Sequence, residues 1–207
     1  MARYQKSLVR KQEMLSHLYD LIIEEGFENV SMNKIAKKMG VNPSLMVHYF
    51  DTKERMVAEL VNYLFSTYSR HIIPDLSESA TPQERLQDFL DVVFGINWNG
   101  VVNNQVFFTY YTLALRRPEI SDHIRRALRN IYTTIHRELV KAGIDGALPK
   151  QDWDKATQFV MMVMEGANLF QGIEMFPTTR EQRQRFLSKM VYEALMHPAP
   201  FPEEPAP

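Results

Sequence analysis

Cysteine is absent from the 207-residue sequence, which excludes disulfides, thiolate metal sites and cysteine nucleophiles. Long apolar runs are also missing: the longest, FVMMVM at residues 159–164, is far too short to span a bilayer. The N-terminal stretch MARYQKSLVRKQEM is basic but lacks the apolar segment of a signal peptide. These absences predict a soluble cytoplasmic protein that does not associate with a membrane.

An excess of either charge is lacking as well. The sequence holds 24 Lys and Arg against 25 Asp and Glu, a formal net charge of -1, and 45% of its residues are hydrophobic. This composition is that of an ordinary globular protein rather than a polycation. A nucleic-acid site would therefore require a local concentration of Lys and Arg.

Catalytic and metal-binding motifs are not found. There is no HExxH sequence, no Gly-rich phosphate loop and no GxSxG sequence. The six histidines, at positions 17, 48, 71, 123, 136 and 197, are scattered without the spacing of metal ligands. We predict a protein that is not an enzyme and that needs neither a metal nor a cofactor.

Helical periodicity is present along almost the whole chain, and no stretch alternates with a period of two. The pattern predicts an all-α fold of about nine helices. The later helices are expected at 82–96, 103–116, 119–142, 152–175 and 180–196, after a break that begins at Pro74. Five of the 11 prolines lie in the last eleven residues, which predicts a disordered tail over 198–207.

Two short helices follow the first long one. Ser31 is a predicted N-cap for a helix that ends at Gly40, and Pro43 suits the first turn of the next helix. Ala36 is small where the two helices must approach, and Gly40 permits a left-handed turn. Thr52 would cap a fourth helix. This order of elements predicts a helix-turn-helix.

The stretch GFENVSMNKIAKKMGVNPSLMVHYFDTKERMVAEL, residues 26–60, carries a family resemblance. On the basis of this stretch, residues 10–64 resemble the DNA-binding domain of the TetR family of bacterial transcriptional regulators. The sequence LALRRPEI and the stretch that begins at Glu165 are similar to the choline-responsive branch of that family. The resemblance implies a helix-turn-helix domain over 1–52, a connecting helix over 53–73, and a helical regulatory and dimerisation domain over 74–197.

The resemblance also implies DNA contacts. Asn42 and Ser44 lie at the start of the second short helix, whose free N–H groups suit a phosphate or a base edge. The family commonly has Thr at position 45 and Tyr at position 47, whereas Leu45 and Val47 are aliphatic and suit thymine methyl groups. The predicted core residues of this helix are Met46 and Phe50. The predicted DNA-binding residues are Asn33, Asn42, Pro43, Ser44, Leu45, Val47, His48, Tyr49 and Lys53.

The region from 94 to 115 alternates aromatic and polar residues. It predicts either an aromatic cavity for a small-molecule effector or an ordinary aromatic core. Glu165 could be the counter-ion of a cationic ligand, or it could face solvent or a partner subunit. The candidate ligand residues are Trp98, Phe107, Tyr110, Tyr111, His136, Met161, Glu165 and Asn168.

The last two helices carry wide apolar stripes, and the small residues Gly166 and Ala167 would permit close helix packing. Two helices from each subunit would form a four-helix interface in a homodimer. The candidate interface residues are Phe159, Val163, Phe186, Met190, Val191 and Ala194.

The primary hypothesis is a homodimeric, ligand-responsive repressor that binds a pseudo-palindromic double-stranded DNA operator and releases it when an effector binds. Two alternatives stay open. The helix-turn-helix could act through protein–protein contacts, which the aliphatic Leu45 and Val47 would suit, or the protein could carry a small molecule without binding DNA.

Overall fold

The computed structural model describes residues 2–72, 81–95 and 103–198, and these residues form nine α-helices, one short 3-10 turn at Phe27–Asn29, and no strand. The all-α prediction is confirmed. Residues 199–207 of the predicted tail, and Trp98, lie outside the described residues. The helices are α1 Ala2–Glu25, α2 Met32–Lys38, α3 Pro43–Phe50, α4 Lys53–Ile72, α5 Pro82–Gly95, α6 Asn104–Ala114, α7 Pro118–Ile144, α8 Trp153–Gly172 and α9 Arg180–Met196.

Side-chain caps explain where several helices begin. The hydroxyls of Ser31 and Thr52 each accept a hydrogen bond of 3.2 Å from the backbone N–H three residues later. At the start of α5, Thr81 Oγ1 accepts from the Glu84 N–H at 3.2 Å, and Glu84 Oε2 accepts from the Thr81 N–H at 2.9 Å. The predicted caps Ser31 and Thr52 are therefore confirmed, and Thr81 with Glu84 forms a capping box.

Two compact units make up the chain. Unit 1 comprises Met1–Arg70 and Asn97–Asn130, and unit 2 comprises His71–Ile96 and Ile131–Pro207. The chain thus passes between units three times: inside α4, between residues 96 and 97, and inside α7. In consequence α6 and the first half of α7 pack with the helix-turn-helix. The functional boundaries at residues 52, 74 and 198 stay a prediction.

The core of unit 1 is formed by the inner faces of its helices. Met14 and Leu18 on α1 and Met56 on α4 are completely buried. The segment before α6 is tied to α1 because the Asn103 N–H donates to the Tyr19 hydroxyl at 2.8 Å. This packing holds the short helices α2 and α3 in place on a rigid base.

The core of unit 2 is formed by α5, α8, α9 and the second half of α7. Phe89 and Val160 are buried, and a polar network fixes the register of α5 against α9. There, Ser188 is fully buried and donates to the Asp91 carboxylate at 2.5 Å, while Gln87 Nε2 donates to Ser188 Oγ at 2.7 Å. Within the described residues, no helix has both the length and the apolar composition needed to cross a membrane.

Candidate nucleic-acid interface

The turn between α2 and α3 is built around Gly40. Its φ is +65°, a left-handed conformation that glycine adopts without strain. The Val41 N–H donates to the Ala36 carbonyl at 2.9 Å, and Ile35 and Ala36 are buried against the core. The predicted helix-turn-helix geometry is therefore present.

The N-terminus of α3 is capped by Asn42. Its Oδ1 accepts a hydrogen bond from the Ser44 N–H at 2.9 Å, and Pro43 occupies the first turn. Because the amide oxygen is used in capping, the amide NH₂ of Asn42 is the group left to donate outward. Asn42, Pro43 and Ser44 are all exposed.

The two faces of α3 differ in burial. Met46 and Phe50 are 0% and 3% exposed, which confirms that they are core residues. On the other side, Ser44, Val47 and His48 are exposed, and their i, i+3, i+4 spacing places them on one stripe. Val47 is 53% exposed, so its methyl groups are available for contact. The outer stripe of α3 thus combines hydrogen-bonding groups with one apolar contact.

Leu45 and Tyr49 flank this stripe, and both side chains are half-buried. The ring of Tyr49 meets that of His48 edge to face, with centroids 5.5 Å apart. This contact limits the orientations of the His48 imidazole, so the side chain is partly ordered before any ligand arrives.

The junction between α3 and α4 contains a strained residue that sequence reasoning missed. Asp51 has φ +64° and ψ −57°, and the Thr52 N–H donates to the Phe50 carbonyl across it at 2.7 Å. The Asp51 carboxylate also pairs with Arg55 at 3.0 Å. A tight three-residue turn therefore separates the two helices.

Lys53 is directed toward the protein itself. Its Nζ donates to the Phe27 carbonyl at 2.9 Å and lies 4.1 Å from the centre of the Phe27 ring. Burial lowers the pKa of the Lys53 ammonium, against the opposing charges of Glu28 and Glu54. The side chain thus ties the 3-10 turn to the start of α4, and its contact with a phosphate stays a prediction.

The outer face of α2 carries both paired and unpaired polar side chains. Lys38 pairs with Glu24 at 2.8 Å. Asn33 and Lys37 are exposed, and Lys37 has no ion-pair partner in the part of the chain that the structure describes. Asn33 is therefore accessible for the DNA contact predicted from the sequence.

The candidate ligand residues divide between the two units. Tyr110 and Tyr111 belong to unit 1, whereas His136, Met161, Glu165 and Asn168 belong to unit 2. Phe107 lies on α6, and only its backbone is described. Tyr110 is 2% exposed, and its hydroxyl has no hydrogen-bond partner among the described residues. Burial, with a smaller contribution from Tyr19, raises the pKa of Tyr110 well above its usual value.

His136 takes part in a contact between α7 and α8. Its ring stacks on Tyr132 with centroids 5.9 Å apart, and its Nε2 lies 3.5 Å from the Asp154 carboxylate. Tyr132 donates a hydrogen bond of 2.5 Å to the same carboxylate, which raises the pKa of Tyr132 to about 12. In this arrangement His136 links α7 to α8, and its contact with a ligand stays a prediction.

Asn168 is 8% exposed and its Nδ2 has no partner among the described atoms. It lines a cavity of about 10 Å³ beside Met164 and Gln171. That volume is enough for about one water molecule and not for an effector.

The candidate dimer residues are mostly accessible. Phe186 is 62% exposed, Met190 52% and Phe159 39%, while Ala194 is exposed and Val163 half-buried. Val191 is only 1% exposed and packs inside unit 2, so it has no side-chain surface to offer a partner. An apolar groove of about 480 Å³ runs between α8 and α9, and its lining includes Met162, Val163, Gly166, Phe170, Phe176 and Phe186.

Comparison with protein families gives two matches that together cover most of the chain. The model described as "Bacterial regulatory proteins, tetR family" matches residues 15–60. The model described as "Tetracyclin repressor-like, C-terminal domain" matches residues 81–197, more than half of the sequence.

Individual relatives agree with these matches. The HTH-type transcriptional regulator BetI of Rhizobium meliloti (strain 1021) is 24% identical over 173 residues, which is 84% of this chain and 83% of the relative. A TetR transcription regulator from Haloarcula marismortui ATCC 43049 superposes with a TM-score of 0.76 at 19% identity, over 90% of this chain and 97% of that one. A transcriptional regulator from Saccharomonospora viridis in complex with choline has a TM-score of 0.70 at 18% identity, over 91% and 96%. At these identities the structural likeness shows a shared fold.

Proposed function

This chain belongs to the TetR family of bacterial transcriptional regulators, and we propose that it acts as a homodimer whose two α3 helices bind the half-sites of a pseudo-palindromic operator. The observation that carries this proposal is the exposed stripe of Ser44, Val47 and His48 on a helix whose other face is locked into the core. A helix held this way can enter the major groove without rearranging.

The chemistry of the stripe suits both phosphate and base contacts. Ser44 and the amide NH₂ of Asn42 can donate to phosphate oxygens at the helix N-terminus. His48 can donate to a phosphate or accept from a base edge. Val47 has only methyl groups to offer, and the thymine methyl is the apolar feature of the major groove. We therefore propose that thymine faces Val47.

Dimerisation is supported by the apolar surface of α8 and α9. Monomeric proteins rarely expose a large contiguous apolar patch, and here Phe186, Met190 and Met162 are each more than half exposed. A two-fold axis through this surface would bury it against its own copy. The same two-fold axis would relate the two α3 helices to each other, as binding to a symmetric operator requires.

The proposed effector is a small quaternary ammonium compound of the choline class. A structural relative is described in complex with choline, and this chain has a half-buried carboxylate, Glu165, on the apolar helix α8. A carboxylate and aromatic faces together favour such a cation. Binding to a conformation in which the α3 helices are mis-spaced would lower the affinity for DNA by population shift.

Selection of bound duplexes from random DNA tests the function. We expect enrichment of two inverted half-sites centred about one helical turn apart. Replacing thymine by uracil in the enriched sites should weaken binding where Val47 makes its contact. The His48→Ala variant should lose the preference for the selected sites, whereas His197→Ala, which alters an exposed histidine of unit 2, should keep it.

Two outcomes would contradict the proposal. Absence of any enriched sequence at low salt would exclude operator binding. Enrichment of single, unpaired half-sites would exclude a symmetric dimer on DNA. The effector class is tested separately, because choline should release the selected duplex at concentrations at which its neutral isostere, 3,3-dimethylbutanol, does not.

A further inference from the structure

A polar cleft of about 910 Å³ lies within unit 1, beside the end of the recognition helix α3. Three elements form its walls: the last turn of α3, the first two turns of α4, and the start of α7. His48 and Tyr49, two of the predicted DNA contacts, lie on its rim, and the residues that face them from α7 and the turn before it are Arg117, Asp122, His123 and Arg126. A duplex that lies along the outer stripe of α3 therefore passes the mouth of this cleft.

Positive charge is concentrated in the same unit. Unit 1 has 15 Lys and Arg against 10 Asp and Glu, a formal charge of +5, whereas unit 2 has 9 against 15, a formal charge of −6. Residues 115–130 alone hold five arginines and two acidic residues. The near-zero net charge of the whole chain is thus the sum of a basic unit 1 and an acidic unit 2, and three of the five excess positive charges of unit 1 come from the segment around the start of α7.

The carboxylates that line the cleft already have cationic partners. Each of the four lies within 4.0 Å of a guanidinium or ammonium group, and three of the pairs are short. The pairs are Asp51 with Arg55 at 3.0 Å, Glu59 with Lys11 at 2.9 Å, Asp122 with Arg125 at 3.3 Å, and Glu54 with Arg117 at 3.9 Å. All four carboxylates of the cleft are therefore paired. Of the two arginines that line the cleft from the α7 side, only Arg117 takes part in one of these pairs.

Two arginines of α7 and its preceding turn are left available. Arg117 is 53% exposed and its contact with Glu54 is long for an ion pair, so water screens most of the attraction. Arg126 is exposed and has no ion-pair partner among the residues that the structure describes. The charge of Arg126 acts on His123, which lines the cleft: burial and, to a smaller extent, this charge lower the pKa of His123.

We propose that Arg117 and Arg126 bind the sugar–phosphate backbone of DNA beside the half-site contacted by α3. The inference rests on the proposed operator binding and adds to it a second contact region, contributed by a segment far from the helix-turn-helix in sequence. Guanidinium groups pair with phosphate oxygens in a bidentate geometry, and the contact carries no base preference. The footprint on DNA is then longer than the groove segment that α3 contacts.

The experiment uses the full-length protein and its selected operator in two lengths, one trimmed to the half-sites and one with natural flanks on both sides. Affinity is measured by fluorescence anisotropy over a series of salt concentrations. The Arg117→Gln/Arg126→Gln double variant should bind the flanked duplex about tenfold or more weakly at about 0.1 M salt. Its slope of log affinity against log salt should fall by about 0.9 for each phosphate that is no longer bound.

Three comparisons separate this effect from others. The double variant should lose affinity equally for operator and unrelated flanked DNA, and should differ less from wild type on the trimmed duplex. Arg125→Gln is the matched control, because Arg125 lies on the same turn of α7 but is paired with Asp122 and does not line the cleft. The thermal midpoint should stay within a few degrees of wild type, since the Arg117–Glu54 pair is exposed and is the one ion pair of these two arginines among the described residues.

An unchanged salt slope in the double variant, with His48→Ala still losing operator preference, would overturn this inference and leave the proposed function standing. A protein for which neither the double variant nor His48→Ala changes DNA binding would overturn both. A loss confined to the operator, with no loss on unrelated DNA, would show a base contact and would also overturn the inference.

Discussion

Asp51 is the residue at which the recognition helix is stopped. Non-glycine residues at a φ of +64° with a negative ψ are strained, typically by about 1–3 kcal/mol. The strain is retained because Phe50 before it is buried and Thr52 after it caps α4. The positions of Phe50 and Thr52 are thus fixed, and Asp51 is the single residue that connects the end of α3 to the cap of α4.

Asp51→Gly should therefore be more stable than Asp51→Ala by about 1 kcal/mol. At an ordinary position the order is reversed, because glycine loses more backbone entropy on folding. Both variants lose the exposed pair with Arg55, so that contribution cancels in the comparison. Urea unfolding of the two variants measures the difference, and an alanine variant as stable as the glycine variant would show that the turn is not strained.

Local signals at single residues were predictable, and inward tertiary contacts were not. Ser31, Thr52 and Gly40 were predicted as caps and turn from their near neighbours, and the structure confirms them. By contrast, the hydrogen bond from the Lys53 ammonium to the carbonyl of Phe27, a residue 26 positions away, was not predicted from the sequence. Such a partner depends on how helices pack, which no short sequence window contains.

Among the helices, α4 and α7 are joined by a hydrogen-bonded pair within unit 1. Asn62 Nδ2 lies 2.8 Å from His123 Nδ1, and an amide nitrogen donates, so the imidazole nitrogen must accept and be unprotonated. Burial, followed by the charge of Arg126, lowers the pKa of His123, although Glu59 and Asp122 act in the opposite direction. The neutral imidazole is thus the form that links the two helices.

This link predicts a pH dependence of stability. Because the pKa of His123 is lower in the folded chain than in the unfolded one, the unfolded chain takes up a proton first as the pH falls. The free energy of unfolding should therefore decrease as the pH drops below about 6.5, the usual histidine value. His123→Gln keeps a hydrogen-bonding group without titrating, so its stability should change less between about pH 7.5 and about pH 5.5.

Chemical denaturation of both proteins at the two pH values checks this prediction. Equal losses of stability in wild type and His123→Gln would assign the effect to other groups. The contact itself was not predictable from the sequence, because its two residues are 61 positions apart. The helices that carry it were predicted correctly, since apolar periodicity and punctuation by Pro and Gly are local features.

For the whole molecule, assembly depends on the groove between α8 and α9. Gly166 lines this groove, and a methyl group added there would meet no atom of another described part of the chain within 4 Å. Glycine inside a helix costs about 1 kcal/mol relative to alanine. Its presence at an open position is explained if a second subunit approaches the helix closely at that point.

Gly166→Ala should thus stabilise the isolated subunit and weaken the proposed dimer. The helix gains about 1 kcal/mol from its higher propensity, while two added methyl groups, one from each subunit, hold the facing helices apart. We expect the dimer dissociation constant to rise about tenfold or more, measured by sedimentation equilibrium. A dimer as tight as that of wild type would place Gly166 outside the interface, whereas Phe186→Ala should weaken it in either case.

The division of unit 1 between two separate stretches of chain has a consequence for protein engineering. A designer who joined residues 1–72 to a foreign sensor domain would omit α6, the first half of α7 and the arginines that accompany them. Tyr19 and the buried face of α1 would then be without their natural cover. Unit 1 is therefore a discontinuous module, and a working chimera has to join its new sensor at three crossings, inside α4, between residues 96 and 97, and inside α7, instead of at one linker.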